Sequence, residues 1–344
     1  MLAWLQRGMV GAALLAALAW WLWTGQQGMA LGWRLAGLAL ALAPQAPVLA
    51  LEFALLAALG RDRQVPRASA AHLLRAWWRE VVVVWQVFGW RQPFAAGQVP
   101  DAAGPAPGAA GRPGRTGVLL LHGYFCNRGI WSPWLRRLRA LGVPCRAITL
   151  EPVFGRIETS GPAIDAAVLD LTQRTGRPPL LVGHSMGGLA LRAWLAGPAE
   201  SEATPGGAPN DPWIDRPNDR PRTAPGNDHR IAGAVTVGAP HHGTWLARFG
   251  LTANARQMRR GSAWLAALAA REPAPRRARF TCFYGHADNV VFPASTATLA
   301  GADNRHLAGV AHLQMLYEPA VFDAVLRRLA AADAGGCGPA DSGR

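Results

Sequence analysis

The stretch that most constrains the fold is residues 179–190, where a short apolar run ends in a glycine-rich turn before a helix-like segment. This order predicts a buried strand, a very tight turn and a helix, with Ser185 at the apex of the turn. Gly183 and Gly187 flank the apex in the G-x-S-x-G spacing, which lets the backbone pack closely around a strained serine. Because a strand precedes the pattern and a helix follows it, Ser185 is predicted to be a nucleophile rather than an ordinary turn serine.

From residue 117 onward, apolar segments with strand character alternate with helical patterns. The predicted strands cover residues 118–121, 145–150, 180–183, 231–237 and 278–284, and the predicted helices cover residues 131–141, 162–175 and 318–329. Such alternation is typical of a parallel sheet with helices on both faces, so we predict an α/β catalytic domain over residues 117–330. Residues 197–230 are rich in proline, asparagine, aspartate and glycine, which predicts a disordered insertion, and residues 331–344 are predicted to be a flexible tail.

The chain opens with two runs that contain no charged side chain, residues 8–33 and 35–51. A helix that spans a membrane needs about 20 apolar residues, so the two runs predict a transmembrane helical hairpin over residues 1–60. Residues 24–28 form the polar turn between the runs, and four tryptophans lie near it, where an aromatic belt would sit.

Two alternatives stay open for this region. Residues 1–30 could be a cleaved signal peptide, although the second apolar run makes simple secretion a poorer fit. The second run could also be only partly inserted, since it contains Pro44, Pro47 and Glu52. Because Arg7 precedes the first run and three arginines follow the second, the positive-inside rule places both ends in the cytoplasm. The catalytic domain would face the cytoplasm if both runs span, and the periplasm if only one does.

Residues 61–92 form the next segment, whose later part mixes valine and tryptophan with charged side chains. It is too short and too charged to span, which predicts a juxtamembrane helix that lies in the interface or packs on the catalytic domain. An ordinary opening helix or strand of that domain is the alternative. Proline, glycine and alanine dominate residues 93–116, which predicts a flexible linker.

The basic composition indicates a membrane surface rather than nucleic acid as a partner. The 344 residues carry a formal net charge of +14, and all the strongly basic side chains are arginine. These arginines are scattered and no nucleic-acid motif is present, so we expect no nucleic-acid binding, whereas anionic lipids would attract the chain. The four cysteines form no C-x-x-C pair or metal-ligand spacing, so no metal site is predicted.

A serine nucleophile needs a base, usually a histidine oriented by a carboxylate, and after this type of turn the order is serine, acid, histidine. No acid lies between residues 231 and 271, and Asp288 follows the predicted strand 278–284 at the edge where sites of parallel sheets form. Asp303 is the alternative acid, but it stands at the start of the next candidate strand.

Two histidines remain downstream of the predicted acid. His312 lies in a loop before the last helix and is the predicted base, since such a loop can carry an imidazole back over the nucleophile. His306 lies in an apolar-flanked stretch, where a strand histidine with satisfied hydrogen bonds is the ordinary expectation.

The oxyanion hole needs two backbone N–H groups aimed at the developing negative oxygen. One is predicted from Met186, at the start of a helix, and the other from the loop after the first strand, where Gly123 lets the backbone turn. Tyr124 is the predicted second donor and Phe125 the alternative. His122 is predicted to hold this loop through hydrogen bonds, and a structural role is also predicted for His184.

Together these residues resemble the α/β-hydrolase family, and specifically its bacterial serine esterase and lipase branch, over roughly residues 117–330. The segments that carry the resemblance are 121–124, 183–188, 237–244, 288–293 and 309–312. The resemblance implies an α/β-hydrolase fold and hydrolysis of acyl esters or lipids through an acyl-enzyme on Ser185, with His312 activating water. It implies no cofactor, and no calcium-binding aspartate pair maps onto this chain.

With the apolar N-terminus, the resemblance implies an enzyme on the bacterial inner membrane, in contact with membrane lipids. An acyltransferase with the same acyl-enzyme and a catalytically idle membrane scaffold are the alternative functions. Residues 245–268, which are amphipathic and arginine-rich, are predicted to line the acyl pocket or act as a lid, with an ordinary packed helix as the alternative. The oligomeric state stays open.

Overall fold

The computed structural model describes residues 1–102, 114–197 and 226–335. Most of the insertion predicted at residues 197–230, the centre of the linker predicted at 93–116, and most of the tail predicted at 331–344 lie outside the described residues.

Six parallel strands form one sheet in the order β2-β1-β3-β4-β5-β6. They are β1 Val118–Leu121, β2 Cys145–Ile148, β3 Leu180–His184, β4 Gly233–Val237, β5 Phe280–Gly285 and β6 Asp303–Leu307. The first five occupy the segments predicted as strands, and β6 begins at the residue where a further candidate strand was expected. The register pairs Leu121 with Gly183 and His184 with Val237, so the carboxyl ends of the central strands are level.

Helices cover both faces of this sheet, as the alternating pattern predicts. The catalytic part of the chain contains α6 Ser132–Ala140, α7 Gly161–Thr175, α8 Met186–Ala196, α9 Ala253–Gln257, α10 Ala263–Ala270, α11 Ala274–Arg277 and α12 Pro319–Gly335. Successive side chains of β1 point to opposite faces, so Leu119 joins one apolar core and Leu120 the other. The fold is therefore a three-layer α/β domain, and the class predicted from the sequence is confirmed.

Helices also form the whole N-terminal region. They are α1 Leu2–Gln26, α2 Leu31–Leu42, α3 Gln45–Leu59, α4 Ala70–Gln86 and, after a π-helical turn at Val87–Arg91, the short α5 Gln92–Phe94. Within the described residues, α1 is the one single helix long and apolar enough to cross a membrane. It packs against α2 to form a projecting hairpin, in which Trp20 Nε1 donates to the Arg34 carbonyl oxygen at 3.1 Å.

The second apolar run differs from the single straight helix that a spanning hairpin requires. It is split into α2 and α3, which meet at an angle of 76°. Pro44 lies at the break and accounts for it, because proline disfavours a helical conformation in the residue before it and has no N–H to donate. α2 has 12 residues and is about 18 Å long, which is short of the ~30 Å hydrocarbon core.

The apolar face of α3 is buried against the catalytic domain. Leu49, Phe53 and Leu56 are each less than 8% exposed, and Phe53 and Leu56 belong to a cluster that includes Ala76 of α4 and Phe292 of the catalytic domain. α4 packs on the same domain, because its Ala76 belongs to this cluster. The N-terminal helices and the sheet domain therefore share a common core.

Candidate active site

Ser185 stands between β3 and α8 in a strained backbone conformation, with φ of 52° and ψ of −125°. The surroundings leave no room for side chains on the flanking glycines. A Cβ on Gly187 would lie 2.4 Å from the Leu121 carbonyl oxygen, and one on Gly183 would lie 2.7 Å from the Gly188 nitrogen. The turn therefore requires both glycines, and it places Ser185 at the carboxyl end of the sheet.

His312 and Asp288 are in direct contact near the same edge. Nδ1 of His312 lies 3.0 Å from Oδ2 of Asp288, and the two residues are 6% and 1% exposed. Oδ1 of Asp288 also accepts from the backbone N–H groups of Val290 and Val291, at 2.9 and 2.8 Å. Burial opposes protonation of His312, but the neighbouring carboxylates, Asp288 foremost, raise the pKa of its imidazole above the ordinary value of 6.5.

Ser185 and His312 are linked through three intermediate residues, His184 on one side and Val237 with Gly238 on the other. The ring centroid of His184 lies 4.7 Å from that of His312, and the Ser185 N–H donates to the Val237 carbonyl oxygen at 2.9 Å. The next residue, Gly238, packs against the His312 imidazole. Among the described residues, no hydrogen bond joins the Ser185 hydroxyl to His312. The predicted nucleophile, acid and base therefore lie at one edge of the sheet.

The alternative acid and base lie elsewhere. Asp303 opens β6 at the opposite end of the sheet, where it pairs with Arg305 and accepts from the Thr281 hydroxyl at 3.2 Å. His306 lies inside β6, with its ring 4.8 Å from that of His286.

The loop after β1 approaches the serine closely. A Cβ on Gly123 would lie 2.9 Å from the Ser185 Cβ, so only glycine fits there without displacement. Tyr124 follows it, and Phe125 has a φ of 56°, which turns the backbone back toward the domain. Met186 is the first residue of α8, so its N–H has no acceptor within the helix. The two predicted oxyanion donors thus directly follow two residues that lie close together, since Tyr124 follows Gly123 and Met186 follows Ser185.

His122 joins two segments beside this loop. Its Nε2 accepts from the Leu150 N–H at 2.8 Å, and its Nδ1 lies 2.8 Å from the Gly123 carbonyl oxygen. Burial lowers the pKa of His122 to about 4, so the ring is neutral and Nδ1 carries the proton. This is the loop-holding arrangement that the sequence predicts for His122. Burial also lowers the pKa of His184 well below its ordinary value.

The segment after β4 is held by a buried ion pair. Arg192 of α8 pairs with Glu272, with Nε 2.8 Å from Oε1, and its Nη1 donates to the His241 carbonyl oxygen at 2.9 Å. His241 Nε2 lies 2.9 Å from the Thr236 hydroxyl. These contacts fix the turn that begins at Gly238, and hence the surface against which His312 rests.

Sequence reasoning missed three residues that support the histidine loop, the segment of residues 308–318 that carries His312. Asn289 Oδ1 accepts from the His312 N–H at 3.2 Å, and Glu80 of α4 accepts from the Leu313 N–H. Glu52 of α3 acts one step further away, because it accepts from the Asn289 side-chain amide. Glu52 is the single charged residue between positions 35 and 59, and Glu80 is the single acid between Asp62 and Asp101. An isolated acid in an apolar helix was the available signal, because burial of a carboxylate requires a compensating partner.

Residues 245–268 do not form one amphipathic helix. They contain a 3₁₀ turn at Leu246–Phe249, followed by α9 and the start of α10. Thr252 lies beside the loop after β1, which carries the predicted oxyanion donor Tyr124, and the two hydroxyl oxygens are 3.4 Å apart.

A six-stranded parallel sheet, with a strained serine turn between its third strand and the following helix, defines the class of α/β hydrolases. The sequence profile described as "Alpha/beta hydrolase family" matches residues 118–337, so the chain belongs to the α/β-hydrolase family. No curated protein sequence matches the chain.

Three solved structures to which the chain is similar are distant in sequence. The mature form of the Bacillus licheniformis lipase BlEst2 has 16% identity and a TM-score of 0.49, covering 66% of this chain and 96% of its own. Aspergillus fumigatus lipase B has 17% identity and a TM-score of 0.48, covering 64% and 53%. A Paleococcus ferrophilus monoacylglycerol lipase has 13% identity and a TM-score of 0.41, covering 63% and 97%.

Proposed function

We propose that this protein is a membrane-bound serine hydrolase that cleaves carboxylic esters. The observation that carries the proposal is the strained turn at Ser185, which lies at the same sheet edge as the buried His312–Asp288 pair. A serine with a histidine base and a carboxylate that orients the base is the set of groups that acyl transfer to a serine uses. Their order along this chain, serine, acid and histidine, is the order of α/β hydrolases.

In the proposed reaction, the Ser185 hydroxyl oxygen attacks the ester carbonyl carbon while Nε2 of His312 removes its proton. Asp288 holds Nδ1–H of His312 and stabilises the imidazolium that forms. The backbone N–H groups of Met186 and Tyr124 stabilise the oxyanion. His312 then protonates the departing alcohol as its bond to the acyl carbon breaks. In the second half, His312 takes a proton from water while the water oxygen attacks the acyl carbon, and it returns that proton to Ser185 Oγ as the acid leaves.

Apolar side chains around the oxyanion loop support an acyl substrate. The Phe125 ring stacks between those of Phe88 and Phe154, with centroids 6.2 and 6.1 Å away. Phe249 and Leu251, next to Thr252, are 64% and 79% exposed. An acyl chain that extended from Ser185 on this side would contact these apolar side chains rather than water, which favours its binding.

Exposed apolar side chains on the N-terminal hairpin support attachment to a bilayer. The hairpin residues of this kind that are at least half exposed are Trp4, Met9, Leu14, Leu15, Leu18, Leu22, Trp23, Leu31, Trp33 and Leu40. A soluble domain rarely exposes so continuous a surface, and membrane lipids are the partner that would cover it.

We infer the side of the membrane on which the hydrolase domain lies from contacts at both ends of the hairpin. Gln6 donates to the Phe125 carbonyl oxygen and Arg7 to that of Pro93, while α3 packs on the domain at the other end. In the proposed arrangement the hairpin therefore enters the bilayer from one face and returns to that same face. By the positive-inside rule, Arg7 and the arginines after residue 60 favour the cytoplasmic face of a bacterial inner membrane.

The test is ester turnover by Ser185→Ala in the full chain, with Ser295→Ala as the matched control at a half-buried serine outside the site. We expect Ser185→Ala to lose p-nitrophenyl ester hydrolysis and labelling by a fluorophosphonate, and Ser295→Ala to keep both. Unchanged turnover in Ser185→Ala would contradict the proposal, and product formation on an added alcohol would assign an acyltransferase instead. Co-sedimentation with anionic vesicles tests the membrane contact.

A further inference from the structure

Glu80 is a buried carboxylate that comes from outside the hydrolase domain. Its α4 helix precedes residue 118, where the match to the family begins, yet Glu80 is only 2% exposed. Its Oε1 accepts from the Leu313 N–H at 2.8 Å and its Oε2 accepts from the Gln314 N–H at 3.0 Å. Within the described ranges no arginine pairs with Glu80, so these two N–H groups are its main compensation for burial.

The two N–H groups belong to the residues that directly follow His312. The His312 N–H itself donates to Asn289 Oδ1, and the Asn289 amide donates in turn to Glu52 Oε2 at 2.6 Å. Three successive N–H groups of the histidine loop are therefore held by side chains, and both carboxylates involved come from the N-terminal helices.

We propose that Glu80 is a positioning residue for the hydrolase reaction, one that holds the His312 loop so that the imidazole can reach Ser185. The inference rests on the proposed function. A displacement of about 1 Å in a reacting group costs roughly 10²-fold in rate, and the loop has no sheet hydrogen bonds of its own at these positions. The helices ahead of the hydrolase domain are then part of the catalytic apparatus and are more than an anchor.

The charges around Glu80 make the role distinguishable from simple packing. Burial is the largest effect on Glu80 and, with a smaller effect of Asp288, raises its pKa to about 7. The Leu313 N–H and the facing His312 act in the opposite direction and lower the pKa. The other ionisable groups near the pair are Tyr317 of the same loop, His184 and Glu52. The Glu80 charge in turn raises the pKa of His312, so its loss shifts the acid limb of the rate profile.

The experiment compares Glu80→Gln with Glu318→Gln in the full-length, lipid-bound protein. Glu318 is the matched control, because its carboxylate contacts only the Gln314 side chain of this loop, at 2.8 Å. We expect Glu80→Gln to lower kcat by roughly 10- to 100-fold with a small change in KM, and to move the acid limb of kcat/KM to lower pH. Glu318→Gln is expected to retain the kcat and pH profile of the wild type.

A folded Glu80→Gln enzyme with wild-type kcat would overturn the proposal. A lower kcat with an unmoved acid limb would also overturn it, because a loss of packing alone would produce that combination. If Glu80→Gln does not fold, Glu80→Asp tests the role instead. It keeps the carboxylate charge but is one methylene shorter, so the carboxylate lies further from the Leu313 and Gln314 N–H groups. Glu80→Asp should then lose kcat while its acid limb stays near that of the wild type, and unchanged kcat would overturn the role. A wild-type protein that neither hydrolyses esters nor reacts at Ser185 would contradict the proposed function itself, and this role with it.

Discussion

Gly238 lies directly against the His312 imidazole. Its φ is +57°, and a Cβ there would stand 3.0 Å from His312 Nδ1 and 3.2 Å from Asp288 Oδ2. The turn after β4 thus forms the surface on which the histidine–aspartate pair rests, and a methyl group would press on the atoms that join the pair.

Gly238→Ala should therefore lower kcat by about 10-fold or more, since it displaces His312 from its working position. It should also cost about 1–2 kcal/mol of unfolding free energy, because of the left-handed backbone. Gly176→Ala is the control, since Gly176 has a φ of +69° and open space around it. That variant should show a similar loss of stability with unchanged kcat, and an equal loss of kcat in both would contradict the prediction.

The rate of ester hydrolysis should fall on the acid side with a midpoint above pH 6.5, because the raised pKa of His312 means that it is still protonated there. The free energy of unfolding should depend on pH in the opposite direction. The His312–Asp288 contact stabilises the fold fully below pH 6.5, and this contribution is lost as the pH rises through the pKa of His312 in the folded state. A kcat/KM profile and urea unfolding across pH 5–9 would measure both effects.

Asp288→Asn should reduce kcat by ~10³–10⁴-fold and move the acid limb to lower pH, since the charge that favours the imidazolium is removed. Asp303→Asn is the matched control, because Asp303 is a half-exposed carboxylate at the other end of the sheet. A larger loss in Asp303→Asn than in Asp288→Asn would assign the acid to Asp303 instead.

His122→Ala should reduce kcat by about 10- to 100-fold, because the Leu150 and Gly123 contacts that hold the oxyanion loop are lost. The pKa of His122 is lowered to about 4 by burial, so the ring is neutral across the assay range and the acid limb should not move. His306→Ala, at an exposed strand position, should leave kcat unchanged. A shifted limb in His122→Ala would show that this histidine acts on the proton transfer.

A chain that starts at residue 93 lacks both Glu52 and Glu80, and it exposes the apolar cluster that α3 and α4 cover. It should therefore be poorly soluble and inactive. A chain that starts at residue 45 keeps α3 and α4 and should retain more ester turnover per mole of folded protein. Comparable activity of the two fragments would contradict this expectation.

Much of the sheet domain could be predicted from local pattern. Apolar runs such as residues 118–121 and 180–184 are buried on both faces, so their composition alone marks them as central strands. The glycines around Ser185 could also be predicted from local pattern, because a strained turn tolerates few other residues. The second apolar run was harder to predict, because hydropathy does not distinguish a helix buried in lipid from α3 buried in protein.

By itself, the sequence determined the order of the strands along the chain, the serine turn and the candidate acid and base that follow it, because each depends on nearby residues or on chain order. The tertiary structure decided that the helices before the hydrolase domain hold the His312 loop. Glu80 and Leu313 are 233 positions apart, and a hydrogen bond across that separation arises only when the packing of α4 brings its buried carboxylate to two free N–H groups.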